Sequence, residues 1–349
     1  MSWTERVERT CRTEPDERAL RAALISDIRA VVPFDAYAWL LTDPETCVGS
    51  APLAETPSLA DLPALIRLKY LTPTNRWTTL EPGASATLIG ATGGERSRSL
   101  VWEELLRGYG IDDVVSAVFR DRYGCWGFLD LWRRGAPFSA TECDLLDELV
   151  RVATPALRRS LLGTFAHGRN LGDLPDGPVV LLLSDDLESL TQTPRTDSYL
   201  RALLPTEADR APVPAGAYNV GAQLLAQECG VDDHPSSARV HLPAGAWVTL
   251  RAARMPRAPG ASSVSGASIA VTIEPANPLE RTALYARVAG LSERESDLLN
   301  LLVGGSDTRE LADRLFMSGH TVQDHLKSIF AKAGVNSRRV LIARATGAA

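Results

Sequence analysis

Toward its carboxyl end the chain repeats one pattern three times in quick succession. Leu291–Val303, Asp307–Phe316 and Ser318–Lys332 each set apolar residues three or four apart among polar ones, the period of a helix with one buried face. Ser292-Glu293-Arg294-Glu295 is a capping box, with Leu298, Leu299 and Leu302 as the apolar face behind it. Gly304-Gly305 ends that helix. Asp307 caps the second, with Glu310 three residues on and Leu311, Ala312 and Leu315 turned inward. Ser318 caps the third. Its Val322, Leu326, Ile329 and Phe330 must pack inward, which leaves His320, Gln323, Asp324 and Lys327 on the outer face. The second and third segments stand so close that they read as a helix-turn-helix. A helix that packs on one side and offers hydrogen-bonding groups on the other matches a DNA major groove.

Upstream the pattern predicts a multidomain α+β chain. Residues 1–163 form a first unit. Within it Pro15–Val32 places Leu20, Leu24, Ile28 and Val31 on one helical face, and Ala36–Leu41 predicts a strand ended by Asp43-Pro44. Ser58–Leu71 and Ser97–Tyr109 predict helices. Val114–Phe119 and Cys125–Trp132 predict paired strands about a turn at residues 121–124, with Trp126, Phe128, Asp130 and Trp132 alternating on one face. The capping box Ser139-Ala140-Thr141-Glu142 opens a long helix to about Leu162. Residues 164–177, rich in Gly and Pro, predict a linker. Residues 178–276 form a second unit with strands at Val179–Leu183, Trp247–Ala252 and Ser268–Ile273 and a loose loop at Met255–Gly266. Residues 277–290 predict a connecting helix, and residues 291–349 the terminal helical unit.

Composition narrows the class. Of the 349 residues 45% are apolar and 23% charged, the proportions of a folded globular protein. No apolar run is long enough to span a bilayer, and Met1–Arg6 is too polar for a signal peptide. Five dispersed cysteines (Cys11, Cys47, Cys125, Cys143, Cys229), without a C-x-x-C pair, fit a reducing cytoplasm. The net charge of −6 would by itself argue against nucleic acid. Its distribution changes the picture: from Leu291 onward eight basic residues face seven acidic ones, and past Lys327 only basic ones occur. Phosphate contact needs a local cluster, not a basic whole.

Leu291-Ser292-Glu293-Arg294-Glu295, Gly305, Glu310-Leu311-Ala312, Leu315, Ser318, Thr321-Val322, His325-Leu326, Ile329-Phe330, Lys332, Gly334-Val335 and Ser337-Arg338 resemble the LuxR-type (NarL/FixJ) DNA-binding domain. The resemblance covers about the last sixty residues. It implies a four-helix domain that reads the major groove and pairs two copies through its fourth helix, here about Ser337–Ala345, with Arg339, Val340, Leu341 and Arg344 in the pairing. The family's base-reading positions fall on Gln323, Asp324 and Lys327, beside His320. Gln pairs bidentately with adenine, Lys donates to guanine and Asp accepts from cytosine. Phosphate contacts would fall on Ser318, Thr321, His325, Lys332 and Arg338; for His325 a structural place at the helix edge stands level with that role. Two departures matter. Gln323 stands where a Lys is common, and Asp324 brings a negative charge to the groove; both weaken sequence-independent attraction. Gly319 loosens the first turn of the helix. Implied partners are double-stranded DNA, a second copy of the chain and RNA polymerase.

The first unit resembles a GAF domain, on the order of its elements and on Trp126–Trp132 followed by Pro137-Phe138-Ser139 and a long helix. That implies small-molecule binding or dimerisation, with Trp39, Trp77, Trp102, Phe119, Trp126 and Phe128 as candidate pocket residues. The plainer reading is that these aromatics fill the core. The second unit resembles a PAS-like domain on Val179–Ser184 and the later hairpin, with Pro205, Pro212 and Pro214 interrupting its middle. The GAF-PAS-helix-turn-helix order resembles actinobacterial regulators, and 34 Arg against three Lys fits a GC-rich genome.

Other chemistry is set aside. Asp185-Asp186 mimics a phosphoreceiver start, but no Lys lies between Lys69 and Lys327. There is no P-loop and no G-x-S-x-G elbow. Cys229, Asp232, Asp233, His234 and His241 match no standard metal spacing, and Asp-Asp-His-Pro reads as a solvated turn. Redox or haem sensing through Cys125, Cys143 or His167 has no supporting pattern. The expectation is a cytoplasmic, homodimeric transcription regulator without metal, cofactor or catalytic site, sensing a small molecule through its upstream units. The alternative is a ligand-independent scaffold whose terminal module binds protein.

Overall fold

The computed structural model describes residues 2–166, 174, 177–205, 210–243, 245–256 and 268–348. The chain begins with α1 (Trp3–Thr13) and α2 (Glu17–Arg29), then β1 (Ala36–Thr42), β2 (Gly49–Glu55), α3 (Leu62–Leu71), β3 (Ser85–Thr87), α4 (Leu88–Thr92), α5 (Leu100–Glu104), β4 (Asp113–Asp121), β5 (Gly124–Arg133) and α6 (Ala140–Thr164). Five antiparallel strands form a sheet in the order β2-β1-β5-β4-β3. One face carries Trp39, Val115, Phe119, Leu129 and Leu131 and packs with the apolar stripes of α1, α2 and α6. On the other face Ala36, Val114 and Trp132 cluster with Leu65 and Leu68 of α3 and Val101 of α5.

The second unit comprises β6 (Val179–Leu183), β7 (Ser189–Gln192), α7 (Thr196–Leu203), α8 (Ala215–Glu228), β8 (Ser237–His241), β9 (Trp247–Met255) and β10 (Ser268–Pro275), with sheet order β7-β6-β10-β9-β8. Alternate residues of β6 and β10 are buried, as a sheet with one covered face requires. The cover is α8, where Gly221 permits close approach: a Cβ there would meet Leu187 Cδ2 at 3.1 Å and Leu183 Cδ1 at 3.3 Å. The chain closes with α9 (Pro278–Val288), α10 (Glu293–Val303), α11 (Thr308–Arg314), α12 (Gly319–Ala333) and α13 (Arg338–Thr346).

Several expectations change. The polar N-terminus forms α1, opened by a Ser2–Glu5 capping box and anchored by buried Val7 and Cys11. The segment 97–109 is not one helix, because Leu105 leaves helical backbone (φ −134°, ψ −60°). β2 was not anticipated; it holds Pro52, which an edge strand tolerates. The alternation on β5 breaks at its start. Phe119 pairs with Gly127 and Arg120 with Cys125, so Trp126 is the extra residue of a β-bulge. It joins the α6-side core, whereas Phe128 stays on the other face. Most of the linker (167–173, 175–176), with His167, and residues 257–267 of the hairpin loop lie outside the described residues.

In the Asp232–His234 turn Asp233 is exposed, as a solvated turn requires, but Asp232 is buried. Its side chain is 3% exposed and lies where the two sheet units meet. Arg76 Nε donates to its Oδ2 at 2.8 Å and Thr78 Oγ1 at 2.6 Å. Gln223 Nε2 and the His234 N–H donate to its Oδ1 at 3.0 and 2.8 Å. Burial pushes this carboxyl up, but the bonds from His234, Thr78 and Arg76 outweigh it and hold it well below the usual carboxylate range. A second clamp joins the same units: Arg239 grips Asp43 with two bonds of 2.6 and 2.7 Å, and Thr46 Oγ1 donates to the Ser237 carbonyl. Asp232→Ala strands the Arg76 guanidinium inside this junction. It is expected to cost about 3–5 kcal/mol in urea unfolding; a loss below about 1 kcal/mol would show that the network does not hold the units together.

Candidate nucleic-acid interface and sensor cavity

A cavity of about 510 Å³ opens on the β1–β5 face of the first sheet. Its walls are mainly aliphatic, from Leu40, Leu65, Val101 and Val114 among others. The second unit completes it through Leu204, Pro205, Val213, Ala215 and Asn219. The deepest charges in it are paired. Lys69 Nζ lies 2.7 Å from Asp130 Oδ2, and Ser116 Oγ donates to Asp130 Oδ1 at 2.7 Å. The Tyr70 hydroxyl accepts from the Gly49 N–H at 2.8 Å.

Of the six aromatics expected here, only Phe128 lines the cavity. Trp39 and Phe119 stack on each other at 4.9 Å on the opposite face of the sheet, and the bulge carries Trp126 to that same face. Trp77 is fixed behind Phe128, stacked at 4.3 Å with its indole N–H on the Cys47 carbonyl. Trp102 Nε1 donates to the Ile111 carbonyl. Trp39, Trp77, Phe119 and Trp126 are buried in the core, and Trp102 is half-buried against it. Trp132, not among the six, does line the cavity.

At the other end of the chain, Ser318 caps α12 by accepting from the Thr321 N–H at 3.1 Å, and its hydroxyl meets Thr321 Oγ1 at 2.9 Å. Val322, Leu326 and Ile329 are buried and Phe330 half-buried. His320, Gln323, Asp324 and Lys327 are all exposed. His320 Nε2 and Lys327 Nζ each approach Asp324 at 3.4 Å, so the acid sits between two basic groups on one face. Phe316, in the turn between α11 and α12, has a left-handed backbone (φ 54°) and is 96% exposed. The family model described as bacterial regulatory proteins, luxR family, matches residues 289–345. The C-terminal unit is a LuxR-type helix-turn-helix domain.

Spore germination protein GerE of Bacillus subtilis is 40% identical over 48 residues, 14% of this chain and 65% of GerE. The chain thus spans just under two thirds of that relative's length. Among solved structures, Escherichia coli SdiA superposes at a TM-score of 0.36 with 13% identity, over 99% of this chain and 97% of SdiA. SdiA in complex with octanoyl-rac-glycerol gives 0.35, 13% identity, 99% and 94%. A bacteriophytochrome from R. palustris gives 0.32, 13% identity, 86% and 74%. Superpositions this loose carry no argument about the upstream units. Among the described residues no helix is long and apolar enough to cross a membrane, and no group of three His, Cys, Asp or Glu is placed to hold a metal.

Four expected contact residues, Lys332, Arg338, Leu341 and Arg344, already have partners within the LuxR-type domain. Lys332 Nζ lies 2.6 Å from Glu295 Oε2, which also accepts from the Ser292 N–H, while Ser328 Oγ donates to Oε1 at 2.6 Å. Lys332 therefore ties the recognition helix to the start of α10. Leu341 is fully buried, so it holds α13 to its own domain and offers nothing to a second copy; Arg344 Nη1 donates to the Ala333 carbonyl at 3.3 Å. Arg339 and Val340 are the exposed pair on α13, and Arg338 Nη2 reaches Thr308 Oγ1 at 2.7 Å. His325 is half-buried.

The domain is also joined to the units above it. Phe165, at the end of α6, is 1% exposed and meets Trp247 of β9 at 5.0 Å and Tyr285 of α9 at 5.1 Å, with the Arg281 guanidinium 4.8 Å over its ring. Thr249 of β9 bonds Glu280, and Arg287 of α9 donates to the Tyr123 carbonyl of the β4–β5 turn. The connecting helix is thus held by both sheet units.

Burial pushes the Glu295 carboxyl up, but the bonds from Lys332, Ser328 and Ser292 prevail and hold it at about 2. A carboxyl depressed in the folded state stabilises fully above its unfolded value of about 4.3 and loses that contribution as pH falls toward its folded value. The stability advantage of wild type over Glu295→Gln is therefore expected to shrink by roughly 2 kcal/mol between pH 5 and pH 2.5. Parallel unfolding curves at the two pH values check this; an advantage that does not change with pH would contradict it.

Proposed function

We propose that the chain is a homodimeric transcription regulator that reads DNA with the outer face of α12 and answers to a small molecule bound in the cavity between its sheet units. The observation that carries the DNA half is the exposure of His320, Gln323, Asp324 and Lys327 on a capped helix whose opposite side is buried. Gln323, Asp324 and Lys327 are the base readers, and Ser318, Thr321 and Arg338 take phosphates. Pairing of two copies uses Arg339 and Val340. The first unit is the GAF-like sensor and the second a PAS-like one that covers it.

The sensing half rests on the cavity's mixed construction and on the connector. A molecule bound better by one arrangement of the sheet units shifts the population toward it. Because α9 packs on both units, that arrangement sets the spacing of two recognition helices on a duplex. RNA polymerase is the downstream partner of such a regulator.

Lys327→Ala is expected to weaken binding to random-sequence duplex and to lower the slope of log affinity against log salt by about one, the contribution of one cation. Asp324→Ala, which removes the charge opposing phosphate, is expected to tighten the same binding. Filter binding across a salt series measures both; affinities that ignore salt, or that neither change moves, would defeat the DNA reading.

A further inference from the structure

We infer that the cavity takes an elongated, uncharged, mainly apolar molecule with a hydrogen-bond acceptor at one end and a donor at the other, read by both sheet units at once. This names the ligand class for the sensor reading above and rests on it.

Three residues that line the cavity each hold a buried polar atom with no hydrogen-bond partner in the protein: Trp132 Nε1, Thr56 Oγ1 and Asn219 Oδ1. Trp132 and Asn219 are 2% and 1% exposed. A buried polar atom left without a partner costs roughly 1–3 kcal/mol, so three on one apolar wall point to a molecule that satisfies them. Their chemistry is specific. An indole N–H only donates. Asn219 Nδ2 donates to the Ala215 carbonyl at 2.9 Å, which fixes the amide so that Oδ1, an acceptor, is the atom left over.

The three lie at opposite ends. Trp132 pairs across the sheet with Ala36, and Thr56 directly follows Glu55, the partner of Tyr37. Asn219 lies by Leu40 and Gly49: a Cβ on Gly49 would fall 3.3 Å from its Oδ1 and 2.6 Å from Leu40 Cδ2. Leu40 pairs with Phe128, so four residues of β5 separate the two ends, about 13 Å at the rise of a strand. The Trp132–Thr56 end supplies donors and suits a carbonyl. The Asn219 end accepts and suits a hydroxyl or amide N–H. Between them Asp130 is already neutralised by Lys69, and the other charged lining residues, Arg18 and Glu55, are solvent-exposed, so a charged group deep in the apolar part would meet no buried counter-charge. Asn219 belongs to the second unit and Trp132 to the first, so one molecule bridges both.

Calorimetric titration of the full chain with methyl 10-hydroxydecanoate, methyl decanoate, 1-decanol and decanoate tests the assignment. The hydroxy ester has both ends, methyl decanoate lacks the donor, 1-decanol lacks the far carbonyl, and decanoate is charged. Wild type is expected to bind the hydroxy ester about five- to tenfold tighter than either single-ended neutral probe, with decanoate weakest. Asn219→Leu is expected to erase the preference over methyl decanoate, and Trp132→Phe the preference over 1-decanol. If Asn219→Leu fails to fold, Thr56→Val serves at the other end, narrowing the preference over 1-decanol. Equal affinity for the three neutral probes, tightest binding of decanoate, no binding of any probe, or preferences that survive the substitutions would each overturn the inference. Tight decanoate binding would leave a ligand sensor of another class. Salt-dependent DNA retention, measured on the same preparation, judges the DNA reading separately.

Discussion

The charged form of Asp232 is favoured where it lies by the bonds it accepts, and much of the molecule is arranged around that fact. An ionised carboxylate at a junction of two apolar sheets is tolerated only if its oxygens are saturated. Arg76 and Thr78 from the first unit and Gln223 and the His234 N–H from the second saturate them. The bonds work only when all are made, so they admit one relative placement of the units. That placement sets α8 on the first sheet. With α8 come Ala215 and Asn219, and a groove on one sheet becomes a cavity shared by two.

The terminal domain was legible because its signals are local. Caps, stop signals and the period of each apolar stripe lie within a turn or two of one another; the three helices read from them lie where expected, and the fourth lies where the family resemblance put it. Glu295 marks the limit of such reading. Its capping role is visible three residues from Ser292, but its bonds to Ser328 and Lys332 cross the domain and leave no trace in spacing. Lys332, read from the family resemblance as a phosphate ligand, also fastens α12 to α10.

The upstream units were less legible for two physical reasons. Helix α8 has no amphipathic period because the second sheet lies on one side and the first unit on the other; Ala, Gly, Asn219 and Gln223 are all buried along it. The pocket aromatics failed for the opposite reason. Strand alternation assigns faces correctly only while the register holds, and one extra residue at Trp126 turns that ring to the other face. Trp39 and Trp77 are large enough to serve as core without lining anything, and they do.

Held by two bodies and carrying a third, α9 has the geometry of a lever. Its 11 residues span about 16 Å at the rise of an α-helix. A tilt of about 10° about the Phe165 contact would carry a point about 16 Å away through about 3 Å, close to the rise of one base pair along a duplex. Phe165, wedged among Trp247, Tyr285 and Arg281, sits at the fulcrum. A repacking there too small to change any fold would move the reading head by a full rung.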